Sequence, residues 1–501
     1  MRSGYATADA ALRREDPAYG YVTGRLRMLE GNLLTRERLE DTLNSGRAAS
    51  WNLLLNDLAY PEERNLMARI EAGRREADRL LLELDPDRGP STVFLLEQAY
   101  HNLKVILKLV VPRRPEDSTL PVAGAAPSGA ATEPDEDTSD RDARIFFDLA
   151  LPRPDFARAR VIELLAAEPE PVSPRRPDET LSSAFATRPD APDLDVKWER
   201  LWNAVGADYP VLMEELVAAQ PRRTGFRGKK GFGGKGGLPG RLTSATTAPK
   251  FVVPDRETGW SPWMDMAVSF AARKYLATRE VGQIDIVLDQ FYYVQLNLLA
   301  CALGQEFMAY WARLVTDIAN LNILLRHRTA ETEPVLAEQT LLPTGSLSLS
   351  ELRRALTGTA AAGEEDPFAV ESAEEDDSES MAATTAISAT TAEAEHTPIP
   401  PERYAEIFRD SPAVELTGLV EDYLSGREGR RRFARRADNL RMRLSKIGRD
   451  IVVGPQVLAG YWLARQTEAQ NLRLALALQG DGAESEIELI RALLRDLYTD
   501  D

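Results

Sequence analysis

Two segments of the chain carry an acidic residue and an asparagine three positions apart. Asp317 precedes Asn320, and Glu468 precedes Asn471. Residues three apart are neighbours on the surface of an α-helix, so the carboxylate and the amide of each pair lie on one face. Such carboxylates could translocate ions or could pair with basic side chains. Translocating carboxylates belong to membrane-spanning helices, and none is predicted here, so we favour ion pairs with basic residues such as Arg326 or Arg465.

The asparagines favour a structural interpretation. Asparagine is a middling helix former because its side chain competes for backbone hydrogen bonds. An asparagine inside an apolar helix is therefore expected to bond to a neighbouring helix or loop and to fix the register of the unit. We prefer this interpretation to ligand binding.

Catalytic patterns are not found in the sequence. The three histidines, His101, His327 and His396, show no spacing typical of a metal site, and no Ser-His-Asp arrangement suggests itself. The single cysteine, Cys301, lies in an apolar segment and is interpreted as a small buried hydrophobic residue. We predict no catalytic residue, no cofactor and no metal, and therefore no enzyme.

A basic, glycine-rich segment at residues 221–241 invites a phosphate-binding interpretation. Lys229 and Lys235 follow glycines, but neither has the upstream glycine and the following Ser or Thr of a P-loop. The G-x-G-x-x-G spelling at Gly231, Gly233 and Gly236 has no buried strand before it and no helix after it. We interpret the segment as a flexible basic tether.

The acid–asparagine pairs lie within a longer phrase that occurs twice. Residues 310–321 and 461–472 align so that Tyr, Trp, Thr, the acid, Asn and Leu fall in identical register. A weaker third copy at 99–104 contains Asn102, with an alanine in place of the acid. Each copy follows an amphipathic segment and a short break, which is the pattern of a helical hairpin. Three copies predict a chain built from three similar helical units.

Capping residues mark where two of the predicted helices begin. In the first hairpin the break lies between Pro86 and Pro90, and Ser91 is predicted as the N-cap of the second helix. Nearer the start of the chain, Thr35 is predicted as an N-cap without a complete capping box.

Composition narrows the classes of function. The chain has 501 residues and a formal net charge of −18, which disfavours nucleic acid as a partner because phosphate binding requires a basic surface. The most hydrophobic stretch, 284–303, contains two aspartates and three amide side chains, so no membrane-spanning helix is predicted. Residues 1–16 have no apolar core, so no signal peptide is expected. One cysteine suits a reducing compartment.

The predicted organisation has three helical units and two insertions. The units are residues 1–165, 261–358 and 400–501. Residues 113–143 and 359–399 are too poor in apolar residues to offset the entropy of ordering and are predicted to be disordered. Residues 170–260 form an insertion with one or two helices and the basic tether.

Eight motifs in one order resemble the C subunit of bacterial and archaeal V-type (A-type) ATPases, the counterpart of the d subunit in eukaryotic V-ATPases. No single motif is diagnostic, but their order along the whole chain is specific. The residues that carry the resemblance are Tyr19, Tyr21, Arg25, Arg27, Leu33, Leu34, His101, Asn102, Leu103, Lys104, Asp317, Asn320, Arg326, Gly454, Pro455, Tyr461, Glu468, Asn471, Leu472 and Arg473.

The resemblance implies an all-α protein whose three similar domains form a funnel. It implies a non-catalytic rotor subunit, peripheral on the cytoplasmic face of the membrane and present once per complex. Its partners would be the central-shaft subunits and the membrane proteolipid ring, and torque would pass through it during ATP-driven transport of protons or sodium ions, or during ATP synthesis. The repeats alone are also compatible with a helical adaptor protein unrelated to the ATPase.

Overall fold

The computed structural model of the protein describes residues 11–45, 48–86, 88–110, 154–166, 252–255, 258–330, 337–357, 399–478 and 484–500. Regular secondary structure in these ranges is helical, without strands, so the predicted all-α class is confirmed. The predictions of disorder for 113–143 and 359–399 fall outside the described residues except at Ile399, which is buried in the main core. The basic tether at 221–241 also lies outside them.

The helices form three groups along the chain. The first group is α1 (Gly20–Glu30), α2 (Arg36–Ser45), α3 (Ala48–Asp57), α4 (Leu66–Leu84), α5 (Gly89–Val110) and α6 (Pro154–Ala166). The second is α7 (Pro262–Thr278), α8 (Gly282–Ala302), α9 (Glu306–Ala330) and α10 (Leu349–Thr357). The third is α11 (Pro401–Ile407), α12 (Val420–Leu424), α13 (Arg427–Ser445), α14 (Pro455–Leu478) and α15 (Glu484–Leu493).

Side-chain caps explain where several of these helices begin. The Arg38 N–H donates to Thr35 Oγ1 at 3.3 Å, as predicted for the start of α2. The prediction for Ser91 is wrong, because α5 begins at Gly89 and the Ser91 N–H donates to the Asp85 carboxylate at 2.7 Å. The buried acid in the break reaches a free N–H of the first turn and so takes the capping role.

Three pairs of long helices, α4–α5, α8–α9 and α13–α14, correspond to the predicted hairpins. Each leading helix packs against the second helix of a different hairpin: α8 lies against α5, α13 against α9, and α4 against α14. The three hairpins therefore close into a ring. A threefold repeat of the whole domain remains a prediction.

Two hydrophobic cores hold the helices together. The main core takes side chains from all three groups of helices. The second core joins Leu39, Leu55 and Ile70 of the first group to Leu472 and Ile490 of the third. Because this core connects residues 34–70 with residues 469–497, the first and third helical groups share one interior. The domain boundaries stay predictions.

Helix α8 shows how sharply burial changes along an apolar helix. Ala300 and Ala302 are buried, whereas Cys301 between them is exposed. Successive helical residues point about 100° apart, since one turn takes 3.6 residues. The interpretation of Cys301 as a buried hydrophobic residue is therefore wrong.

Candidate functional site

The repeat asparagines of α9 and α14 make the same contact. The Asn320 amide accepts a hydrogen bond from the Leu342 N–H at 2.9 Å and donates one to the Leu342 carbonyl at 3.0 Å. The Asn471 amide accepts from the Arg495 N–H at 3.0 Å and donates to the Arg495 carbonyl at 3.1 Å. Each side chain is buried and clamps one peptide residue that lies 22 or 24 positions later. The asparagines thus hold a following loop, as expected.

The two repeat acids bind different groups. Asp317 accepts hydrogen bonds from the Ser346 N–H at 2.7 Å and from the Ser411 hydroxyl at 2.6 Å. It does not pair with Arg326, whose side chain is exposed, so an ion pair between these two was the wrong expectation. The Ser346 N–H belongs to the same downstream loop that Asn320 binds, whereas the Ser411 hydroxyl comes from the third helical group, 94 residues away.

Glu468 is the centre of a buried polar cluster. Its carboxylate accepts from the Leu34 N–H at 2.7 Å, from the Tyr60 hydroxyl at 2.6 Å and from the Arg465 guanidinium at 2.7 Å. The ion pair with Arg465 agrees with the expectation from the sequence. Arg465 also lies over the Tyr60 ring, 4.3 Å from its centre. The cluster ties the chain near Leu34 to helix α14.

Burial dominates the electrostatics of both acids. Removal from water raises the pKa of Asp317, and the hydrogen bonds from Ser411 and Ser346 offset part of that rise. Burial likewise raises the pKa of Glu468, against the opposing effects of Arg465, Tyr60 and the Leu34 N–H. Both directions follow from the cost of desolvating a carboxylate. The arrangement serves to hold chain segments together.

The paired helices surround a central cavity of about 740 Å³. All six long helices of the three hairpins contribute to its wall. Of the repeat residues singled out in the sequence, Asn102 and Arg473 line it, whereas the two clamping asparagines and the two acids do not. Arg473 pairs there with Glu71.

Aromatic side chains meet at one part of this wall. The Phe94 ring lies 5.3 Å from the Trp311 ring and 5.2 Å from the Trp462 ring, measured between centroids. Each of the three rings comes from the second helix of a different hairpin. Edge and tilted packing of this kind adds about 0.5–1.5 kcal/mol per pair beyond the area buried. The repeated Tyr-Trp helices therefore converge on a shared contact.

The charged part of the wall is internally paired. Arg74 donates to Asp78 at 3.0 Å and to Glu71 at 2.8 Å. Asp78 also accepts from the Trp462 indole N–H at 2.8 Å and from the Gln466 amide at 2.9 Å. Burial raises the pKa of Asp78, and these donors offset part of the rise. The cavity thus presents an aromatic zone beside paired charges of both signs.

Comparison with known proteins gives a match over the second and third helical groups. Residues 262–488 match the family model of the ATP synthase (C/AC39) subunit. The resemblance inferred from the sequence is confirmed. The C/AC39 family supplies a stalk subunit of V-type ATPases. No curated protein and no solved structure matches the chain.

The C/AC39 match runs from the first residue of α7 into α15. It therefore includes both asparagine clamps and both repeat acids, whereas the hairpin that holds Asn102 lies outside it. Among the described helices, none combines the length and apolar character needed to cross a bilayer. The described residues also contain no group of three or more His, Cys, Asp or Glu side chains placed to hold a metal ion.

Sequence reasoning missed two residues of the cavity, Phe94 and Asp78. Trp311 and Trp462 lie nine positions before their asparagines, but the ninth position before Asn102 is Val93, so the ring partner Phe94 is displaced by one. No local sequence pattern marks Asp78 as a cavity residue, because its partners Trp462 and Gln466 lie 384 and 388 residues away. Only the neighbouring arginine, Arg74, could have marked it as a paired acid.

Proposed function

We propose that this chain is the rotor subunit that couples the central shaft of a V-type ATPase or ATP synthase to the membrane proteolipid ring. It would transmit torque without catalysing a reaction, from a peripheral position on the cytoplasmic face of the membrane and in one copy per complex. The C/AC39 match supports the choice of complex. The observation that carries the coupling role is the central cavity, because it is walled by helices of all three hairpins.

The cavity suits a protein partner better than a small molecule. Its wall combines the aromatic contact of Phe94, Trp311 and Trp462 with paired arginines and acids. Protein interfaces are enriched in aromatic residues and arginine at their centres, with polar groups at the rim. We place the foot of the central shaft in this cavity.

Transmission of torque requires that the three helical groups do not move relative to one another. Hydrogen bonds between side chains join each neighbouring pair of helical groups: Trp462 to Asp78 at 2.8 Å, Tyr100 to Gln295 at 2.7 Å, and Tyr423 to Asn322 at 3.0 Å. The bond between Tyr100 and Gln295 lies wholly in the buried interior. A closed ring of packed helices with such bonds at every junction supports the role of a rigid coupling.

A mismatch in symmetry limits how this chain can contact the proteolipid ring. Three similar units cannot match every subunit of a larger ring. We therefore expect this contact to depend on shape and on a few loops, with no strict symmetry between the two rings.

A charge reversal tests the place of the shaft. Arg75 lines the cavity, whereas Arg79, one turn further along α4, is exposed and lies outside it. We expect Arg75→Glu to weaken binding of the purified central-shaft subunits and the matched control Arg79→Glu to leave it unchanged. Equal binding by both variants would exclude the cavity as the shaft site.

Removal of the chain tests the coupling role. In membranes that lack this protein, ATP hydrolysis by the catalytic subunits should continue while ion pumping stops. Adding the chain back should restore pumping. Membranes that pump at the normal rate per ATP without it would contradict the proposed function.

A further inference from the structure

The buried amide of Asn102 has no hydrogen-bond partner in the described part of the chain. Its side chain is 1% exposed, and among the described residues neither its amide nitrogen nor its amide oxygen has a hydrogen-bond partner. A buried polar group in this state costs free energy, because it has lost water and gained nothing in return. Asn102 lines the central cavity, so a turn of its covered side chain toward the open space would bring the amide within reach of a partner there.

The same position is satisfied in the other two hairpins. Asn320 and Asn471, which align with Asn102 in the repeat, each bind the N–H and the carbonyl of a single residue. In both cases the amide oxygen accepts and the amide nitrogen donates. The fold thus uses this helical position twice as a clamp for one residue of an irregular segment.

We propose that Asn102 clamps the backbone of the shaft subunit that enters the cavity, binding the N–H and the carbonyl of one residue. This inference rests on the proposed function, since it takes the shaft as the occupant. The proposed clamp also restricts the backbone conformation of the bound shaft segment. Inside a helix both groups are already bonded, and a helix end frees either N–H or carbonyl groups but not both on one residue. The clamped part of the shaft is therefore a turn or an extended segment.

The surroundings of Asn102 suit this occupant. Gln98, four residues earlier on α5, places a second amide on the same wall. The aromatic contact centred on Phe94 lies further back along the same helix. Because the clamp reads backbone groups, it recognises the path of the partner chain and leaves its side-chain sequence free.

Replacement of the amide by a hydrocarbon of similar size separates the possibilities. We would purify Asn102→Leu and the matched variant Asn320→Leu, then measure the melting temperature of each free chain and the Kd for the purified central-shaft subunits of the same organism. Asn102→Leu should melt at the wild-type temperature or above it, because it removes an unsatisfied group. Asn320→Leu should melt lower, because it leaves the Leu342 peptide unpaired.

Binding gives the second readout. Loss of two hydrogen bonds worth about 1 kcal/mol each predicts a Kd for Asn102→Leu at least about tenfold above wild type. Asn102→Ala removes the same amide without adding bulk and should lose affinity to a similar degree. Hydrogen exchange on the complex should show a protected amide at the shaft's foot that both Asn102 variants expose.

The outcomes distinguish this inference from the proposed function. If wild type binds the shaft and both Asn102 variants bind equally well, the clamp is refuted while the rotor assignment stands. If Asn102→Leu lowers the melting temperature as much as Asn320→Leu, the amide binds a segment of its own chain, and the clamp is refuted again. If wild type does not bind the shaft at all, the proposed function itself fails.

Discussion

The buried cluster around Glu468 offers the sharpest test of how the ring is held closed. The Glu468 and Arg465 side chains are 2% and 7% exposed, and the carboxylate accepts from three donors in two parts of the chain. Glu468→Gln preserves the volume but leaves the Arg465 guanidinium buried without a counter-charge. Breaking a buried pair from one side costs about 3–5 kcal/mol. We expect a loss of this size in the free energy of unfolding.

The magnitude is large on the scale of the whole molecule, since folded domains are stable by about 5–15 kcal/mol. The assay is equilibrium unfolding in urea, followed by far-UV circular dichroism. The matched control is Glu76→Gln, which breaks the exposed pair with Arg79 and should cost no more than about 1 kcal/mol. Adding Arg465→Met to Glu468→Gln should recover part of the loss, because the double variant buries no lone charge. A cost for Glu468→Gln that equals the control would refute this account of the cluster.

Three further predictions concern the cavity and the downstream loop. For Asp317, burial holds the folded-state pKa above the unfolded value of about 3.9, so the folded state binds more protons than the unfolded state between these two pKa values. As pH rises through that window, wild type should lose stability relative to Asp317→Asn, and above it the difference should stay constant. Unfolding measured at several pH values would show this. Phe94→Ala removes the ring between the two tryptophans and should cost about 3–5 kcal/mol, with a loss of near-UV dichroism; an unchanged spectrum would count against the aromatic contact. Gly345→Ala would place a methyl group on the Asp317 carboxylate and should cost about 1–3 kcal/mol in urea unfolding, whereas Gly282→Ala, with open space around it, should be neutral or stabilising.

The sequence predicted local structure well where a residue acts within its own unit. The mid-helix position of Asn320 and Asn471 led to the expectation of a bond to a neighbouring helix or loop, and each of them binds a loop. The helical hairpins followed from apolar periodicity, which reports the face that each helix buries. The cap at Thr35 followed from its hydroxyl and its place before a helix.

Contacts between units could not be predicted in the same way. Periodicity shows that α4 has an apolar face, but not that helix α14 covers it. The partners of Asp317 were misjudged because two serines, one 94 residues away, outcompete a charged residue on the same helix. Cys301 shows the limit of composition, since a residue inside an apolar helix can still lie on its narrow exposed strip.

The second hydrophobic core cannot form until both of its halves have been synthesised. Its two halves, residues 34–70 and 469–497, are separated by about 400 residues of sequence. At roughly 5–20 residues per second, the first half leaves the ribosome about 20–80 seconds before the second. During that interval the apolar faces of α2 and α3 lack the cover that residues 469–497 provide. This core is therefore completed only after residues 469–497 have been synthesised, and the early helices are the part that chaperones would have most reason to protect.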